Sequence, residues 1–180
     1  MTELQNADLA FVLPKKEQLD QAISDSTLSD SDSSYVHVAL IEKTKENHFF
    51  IIESTGKRGV IRRPLQDFIN EHQNHLHFYR TINPLKDVKN IIQRAKAHLG
   101  EPYNHGFFQE GPGYYCSQLV IEAYKDENIF CETPLSFGPN GTILLHWVQY
   151  YQELGKKVPI NQVGSSPNSL IASHQLQKIQ

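Results

Sequence analysis

The stretch Gly113-Tyr114-Tyr115-Cys116-Ser117-Gln118-Leu119-Val120 places a cysteine after a Gly-Pro-Gly loop and at the start of an apolar helical pattern. A helix N-terminus carries partial positive charge, which favours a thiolate over a thiol. Its free backbone N–H groups could also hold a developing oxyanion. Cys116 is therefore a candidate nucleophile. Taken without its surroundings, it is also readable as a small buried hydrophobe, the common fate of a lone cysteine.

A nucleophilic thiol needs a base to take its proton and a group to orient that base. One predicted hairpin carries both residue types. Tyr35 to Glu42 and His48 to Ser54 read as strands joined by the polar loop Lys43-Thr44-Lys45-Glu46-Asn47. A loop symmetric about Lys45 sets Glu42 opposite His48 and carries the ladder on to His37 opposite Glu53. Directly opposed side chains share a face, with Cβ atoms ~5 Å apart. Glu53 could then accept a hydrogen bond from one ring nitrogen of His37 and leave the other for a thiol. The pair could equally exist only to satisfy itself, since unpaired polar groups inside an apolar hairpin are costly. A register shifted by one residue would send the two to opposite faces. Tyr103, in Gly100-Glu101-Pro102-Tyr103-Asn104, is a further candidate. Its hydroxyl could donate to an oxyanion or the thiolate, or the residue could be a half-buried loop tyrosine.

The elements that must position these residues follow from pattern. Leu9 to Leu13 reads as a strand ended by Pro14, and Glu17 to Ile23 as a short helix. The Ser- and Asp-rich Ser24 to Ser34 reads as a long loop. Gly59 to Arg63 and His75 to Arg80 read as further strands, with a short helix from Leu65 to Glu71 started by Pro64. Leu85, Val88, Ile91, Ile92, Ala95 and Leu99 recur at helical spacing, and Gly100 is a natural stop. Leu119, Val120, Ala123 and Tyr124 give the Cys116 helix one apolar face. Thr142 to Leu154 reads as a helix carrying Trp147, and Asn168 onward as a last short one. Strands and helices are segregated along the chain, which argues an α+β fold.

With 180 residues, 39% of them hydrophobic and 21% charged, the chain fits one globular domain spanning 1–180. A net charge of -3 gives no electrostatic case for a nucleic-acid partner. No window is long and apolar enough for stable membrane insertion. Met1 to Asp8 is polar and acidic, unlike a signal peptide, so a chain starting here is expected in the cytoplasm. A trimmed mature form of an exported protein would read the same way. The two cysteines, Cys116 and Cys131, are too few for a disulfide framework. A single bridge between them stays open, and it would cap the candidate thiol. His72, His75 and His77 invite a metal reading but lack a third ligand of clear spacing, so no metal and no cofactor is expected. Nothing in the sequence sets the oligomeric state.

Taken in order, several pieces match one family. They are Tyr35-Val36-His37-Val38-Ala39, Ile51-Ile52-Glu53-Ser54, Gly59-Val60, Arg63-Pro64-Leu65, Leu99-Gly100-Glu101-Pro102-Tyr103 and Tyr115-Cys116-Ser117-Gln118-Leu119-Val120. Trp147, Tyr150-Tyr151, Leu154-Gly155 and Gly164-Ser165-Ser166-Pro167 continue the pattern. Together they resemble the circularly permuted branch of the papain-like, NlpC-type cysteine hydrolases, the YiiX-like proteins. The resemblance covers nearly the whole chain. It implies a permuted papain-like fold, with a small antiparallel sheet or half-barrel packed against the cysteine helix. It also implies Cys116 as nucleophile, His37 as base, Glu53 as the orienting residue, and Tyr103 as the tyrosine that precedes the cysteine in related cell-wall hydrolases. Ala7-Asp8 stands where the family has Gly-Asp, which would alter that turn.

The expected activity is thiol hydrolysis of an amide or ester carbonyl through an acyl-enzyme. The substrate would be a small peptide, an amide or a lipid-linked acyl group. Acyl transfer, as in relatives of lecithin–retinol acyltransferase, shares the chemistry. A binding module with an inert thiol is the non-enzymatic alternative.

Overall fold

The computed structural model describes residues 3–15 and 34–180. Most of it is organised by one six-stranded antiparallel sheet. Its strands are β1 (Leu9–Val12), β2 (His37–Lys43), β3 (Phe49–Thr55), β4 (Gly59–Pro64), β5 (Leu76–Thr81) and a C-terminal strand, β8 (Leu176–Lys178). They lie in the order β4-β3-β2-β1-β5-β8. Two short strands, β6 (Thr133–Pro134) and β7 (Val163–Gly164), pair separately. The helices are α1 (Leu65–His72), α2 (Val88–Ala97), α3 (Cys116–Ala123), α4 (Leu145–Glu153) and α5 (Pro167–Ala172). The fold is α+β, as its segregated elements predict. The expected Glu17–Ile23 helix and all but the last residue of the Ser24–Ser34 loop lie outside the described residues.

Strand alternation sends one set of side chains to each face of the sheet. Leu9, Phe11, Val38, Leu40 and Ile52 pack with Ile91, Ile92 and Ala95 of α2, Leu119, Val120 and Ala123 of α3, and Leu170 of α5. On the opposite face, Ala10, Val12, Ala39, Ile41 and Ile51 meet Leu65 and Phe68 of α1. Each large aliphatic side chain buried this way contributes ~1.5–3 kcal/mol, so α3 is anchored by its apolar face rather than by intrinsic helix propensity. A third cluster, built on Phe137, Trp147 and Tyr151, holds α4 against the loop around Phe107 and Phe108.

The β2–β3 hairpin departs from the symmetric loop. Lys43 pairs with Phe49, Glu42 with Phe50 and Leu40 with Ile52, so the loop is Thr44–His48. Asn47 takes a left-handed conformation at φ 61° and donates to the Thr44 carbonyl, while Thr44 N–H bonds the His48 carbonyl. The loop keeps five residues but is centred on Glu46 rather than Lys45, so β2 ends and β3 begins one residue later than predicted. Continuing the register puts Ala39, not His37, opposite Glu53. Three other boundaries shift. Leu85 falls before α2, whose N-terminus is capped by the Asp87 side chain accepting from the Asn90 N–H. Helix α4 starts at Leu145, because Pro139–Gly141 forms a separate short turn. The tail ends in a strand as well as a helix, with Ser166 capping α5. Ala7 is held at φ 65°, the conformation for which glycine is suited, and Asp8 ties the turn down by accepting two bonds from Arg80 at 2.7 Å.

Candidate active site

Cys116 is the first residue of α3 and is 7% exposed. Several interactions fix the turn before it. Gly113 sits at φ 75°, where any Cβ would lie 1.7 Å from the Pro102 carbonyl oxygen, so only glycine fits. Tyr114 N–H donates to that carbonyl at 3.1 Å. The Tyr115 N–H donates to Gln118 Oε1 at 3.3 Å, and buried Asn104 donates to the same oxygen at 3.2 Å. Ser54 Oγ, next to Glu53 on β3, donates to the Tyr114 carbonyl at 2.5 Å. The strand that carries Glu53 is thereby tied to the cysteine turn.

His37 opens β2. Its Nε2 lies 2.7 Å from Glu53 Oε2, which leaves Nδ1 for the Cys116 thiol. Burial disfavours the imidazolium, but hydrogen bonds and charge from Cys116 and Glu53 more than offset this and raise the His37 pKa to about 10. Glu53 is 1% exposed. Burial works against its charge too, yet hydrogen bonding and charge from His37 and Arg63 hold it below the usual carboxylate range.

Arg63, on β4, donates Nε to Glu53 Oε1 at 2.6 Å and Nη1 to Glu71 of α1. Its guanidinium lies 5.1 Å from the Phe68 ring centroid. Both Glu53 oxygens are therefore engaged, one by the histidine and one by the arginine. Beyond His37, His72 of α1 stacks at 6.5 Å between ring centroids and 30° between planes. Burial, then the positive His37, push the His72 pKa down to about 4. The two histidines thus divide their roles, one holding its proton and one staying neutral.

Tyr103 lines the same cavity as Cys116. Burial and the neighbouring Cys116 push its phenol well above the ordinary tyrosine value, so it remains a hydrogen-bond donor. The remaining structure follows from this frame. Asn168, 1% exposed on α5, accepts from the Tyr35 N–H at 2.7 Å and donates to its carbonyl at 3.1 Å, fixing the chain that enters β2. Ser165 N–H donates to Tyr115 Oη at 3.0 Å.

All four residues singled out by sequence converge here. Arg63, Glu71 and His72 complete the surroundings without having been assigned a role there. Arg63 carried a signal, as a cation at the end of a predicted strand, but its partner could be known only from the β3–β4 pairing of Glu53 with Ile61 and Ile51 with Arg63.

Cys116 and Cys131 are both free thiols, the first buried and the second exposed. The histidines considered for a metal separate. His77 Nδ1 bonds the Tyr35 hydroxyl at 2.7 Å, while His72 stacks on His37. Among the described residues, no group of three His, Cys, Asp or Glu side chains could hold a metal ion. No described helix is long and apolar enough to cross a membrane.

The geometry is one in which a thiol, an imidazole and a carboxylate share a proton network at a helix start. A comparison with curated proteins gives no match. Among solved structures, the chain is similar to the metalloprotein yiiX from Escherichia coli O157:H7, with a TM-score of 0.79 and 22% identity over 98% of this chain and 96% of that one. That likeness establishes the fold, and among the described residues the ligand sets do not fit a metal. The family described as permuted papain-like amidase enzyme, YaeF/YiiX, C92 family, matches residues 3–180. The chain accordingly belongs to the permuted papain-like amidases.

Proposed function

We propose that the protein is a thiol amidase working through a Cys116-His37-Glu53 triad and an acyl-enzyme. The observation that carries this reading is the His37 ring bridged between a buried carboxylate at 2.7 Å and the thiol at the start of α3. With the Cys116 proton already resting on His37, the thiolate attacks the amide carbonyl carbon, forming a C–S bond and an oxyanion. The free N–H of Cys116 and the Tyr103 hydroxyl stabilise that oxygen. As the intermediate collapses, the C–N bond breaks and the amine leaves with the His37 proton. Water then attacks the thioester and gives its proton to His37. The C–S bond breaks and the carboxylic acid departs.

The chain contains its own control in Cys131, a free and exposed thiol. In alkylation by iodoacetamide at neutral pH, followed by peptide mass spectrometry, Cys116 is expected to react faster than Cys131 despite its burial. Equal or slower reaction at Cys116, before and after denaturation, would remove the case for an activated thiol. Tyr103→Phe tests the oxyanion role. It is expected to lower kcat about 10²-fold with KM little changed, the usual consequence of removing one such donor. An unchanged kcat would reduce Tyr103 to a wall of the cleft.

A further inference from the structure

Glu53 is a carboxylate only 1% exposed, and what surrounds it changes during the reaction. In the free enzyme it faces two cations. His37 Nε2 lies 2.7 Å from Oε2, and Arg63 donates Nε to Oε1 at 2.6 Å. Acylation removes the first of these. Burial opposes a proton on His37, and the hydrogen bond and charge of Cys116 help to outweigh it. That support ends when the sulfur becomes a thioester and the amine leaves with the proton. His37 must then be neutral to activate water, and Glu53 keeps one cation, Arg63.

No neighbour takes over that role. Besides His37 and Arg63, the titratable side chains around Glu53 in this polar cavity are Lys15, Glu71, His72 and Tyr103. His72 stays neutral, Tyr103 is uncharged, and Lys15 Nζ donates to the Glu71 carbonyl at 2.8 Å. Arg63 itself is fixed from several sides. The β3–β4 pairing sets it opposite Ile51, so it shares a face with Glu53. Its Nη1 donates to Glu71 at the end of α1, and its guanidinium lies 5.1 Å from the Phe68 ring centroid. The Glu71 side chain is 50% exposed, so water screens it and Arg63 keeps most of its charge for Glu53. A planar fork held this way is a fixed donor, which a flexible ammonium is not.

We propose that Arg63 is the positioning residue of the second half-reaction. It keeps Glu53 ionised in the acyl-enzyme, so that neutral His37 is held with its proton on Nε2 and its Nδ1 open. The water oxygen bonds to the thioester carbon and its proton passes to Nδ1. The C–S bond breaks, its electron pair returns to sulfur, and the carboxylic acid leaves. Without Arg63, a carboxylate buried beside a neutral imidazole takes up a proton, becomes a donor and no longer orients the ring. The inference rests on Cys116 being the nucleophile. It carries an asymmetry, because acylation starts with His37 charged and needs Arg63 little, whereas deacylation needs it most.

p-Nitrophenyl acetate separates the two steps in a Cys131→Ser background, where Cys116 is the one thiol. Acylation is read as p-nitrophenolate release. Deacylation is read as loss of the acetyl mass from Cys116 after excess ester is removed. Arg63→Gln keeps a hydrogen-bond donor without the charge. An unpaired buried carboxylate titrates as high as ~8–9 and each unit is tenfold, so this variant is expected to slow deacylation ~10–100-fold at neutral pH and acylation less than about threefold. Arg63→Lys restores the charge and is expected to recover most of the loss. Glu71→Gln loosens α1 but leaves the cation on Glu53, and is expected to slow deacylation far less than Arg63→Gln. In a Glu53→Gln background, Arg63→Gln is expected to add nothing, because it acts through that carboxylate. The double variant buries neither charge, so it decides the matter even where Arg63→Gln alone does not fold. Equal slowing of both steps by Arg63→Gln, no rescue by Arg63→Lys, or further slowing in the Glu53→Gln background would overturn the role of Arg63. Acetylated Cys116 in the parent chain would leave the nucleophile standing in each of those cases. Absence of acetylated Cys116 in the parent chain would overturn both.

Discussion

Cys116→Ala is expected to abolish amide hydrolysis, with loss of about 10⁴-fold or more in kcat, while the fold survives. The thiolate is the atom that forms the covalent bond, so no other group in the cleft can replace it. Residual turnover would come only from the oxyanion donors and from binding, and a triad stripped of one member generally retains little beyond that. Cys116 belongs to the same buried cluster as Leu119, Val120 and Ala123 but also borders the cavity, so removing its one sulfur there costs little structure. His37→Ala is expected to fall to a similar level, and the double variant no further, since the two act as one unit. The pH profile adds a second readout. His37 holds its proton up to about 10, so kcat/KM is expected to keep its acid function through the neutral range and decline as the pH passes through about 10. Hydrolysis by Cys116→Ala equal to the wild type, measured on the same N-acyl amide with thermal melts matched, would sink the covalent mechanism.

How far the site could be read in advance depended on which contacts are local. The hairpin register was misplaced, because the Thr44–His48 loop is centred on Glu46 and not on Lys45. His37 and Glu53 nonetheless met, because the error shifted the pairing by an even number of residues and side chains repeat every two residues along a strand. An odd shift would have parted them. Cys116 was legible because a glycine at positive φ, a helix start and an apolar face all fall within one short segment. Arg63 and His72 were not, since their approach depends on how β4 and α1 pack beneath Glu53. The last strand, Leu176–Lys178, is short and largely exposed, and it is defined by pairing with β5 rather than by its own pattern. The cavity beside Cys116 was invisible for a similar reason, since its wall is assembled from Phe107, Leu135, Trp147 and Pro167, which are far apart in sequence.

Glu53→Gln is expected to lower kcat by ~10²–10⁴ with little change in KM, because it removes a charge while keeping the shape. Glu53 does not touch the reacting carbonyl in this arrangement. It acts through His37 and is a positioning residue, so loss of rate alone would not establish its role. The pH dependence does. Without the carboxylate, His37 loses one of the two partners that raise its pKa, and the alkaline limb is expected to move down from about 10 toward the ordinary histidine value of 6.5. Stability should follow the same pair. The raised His37 contributes fully below 6.5 and loses that contribution as the pH rises through about 10. The depressed Glu53 contributes fully above its ordinary 4.5 and loses it as the pH falls through its lower folded value. The wild type's advantage over Glu53→Gln is therefore expected to be largest between 4.5 and 6.5 and to shrink on the alkaline side. Arg63→Met separates charge holding from histidine contact. It leaves Glu53 buried with one partner, and breaking such a pair typically costs ~3–5 kcal/mol. Glu53→Asp, which retains the charge on a shorter side chain, is expected to restore the alkaline limb in part. A Glu53→Gln profile superimposable on the wild type, in rate and in denaturation midpoint across pH, would mean that the carboxylate neither orients His37 nor stabilises its charge.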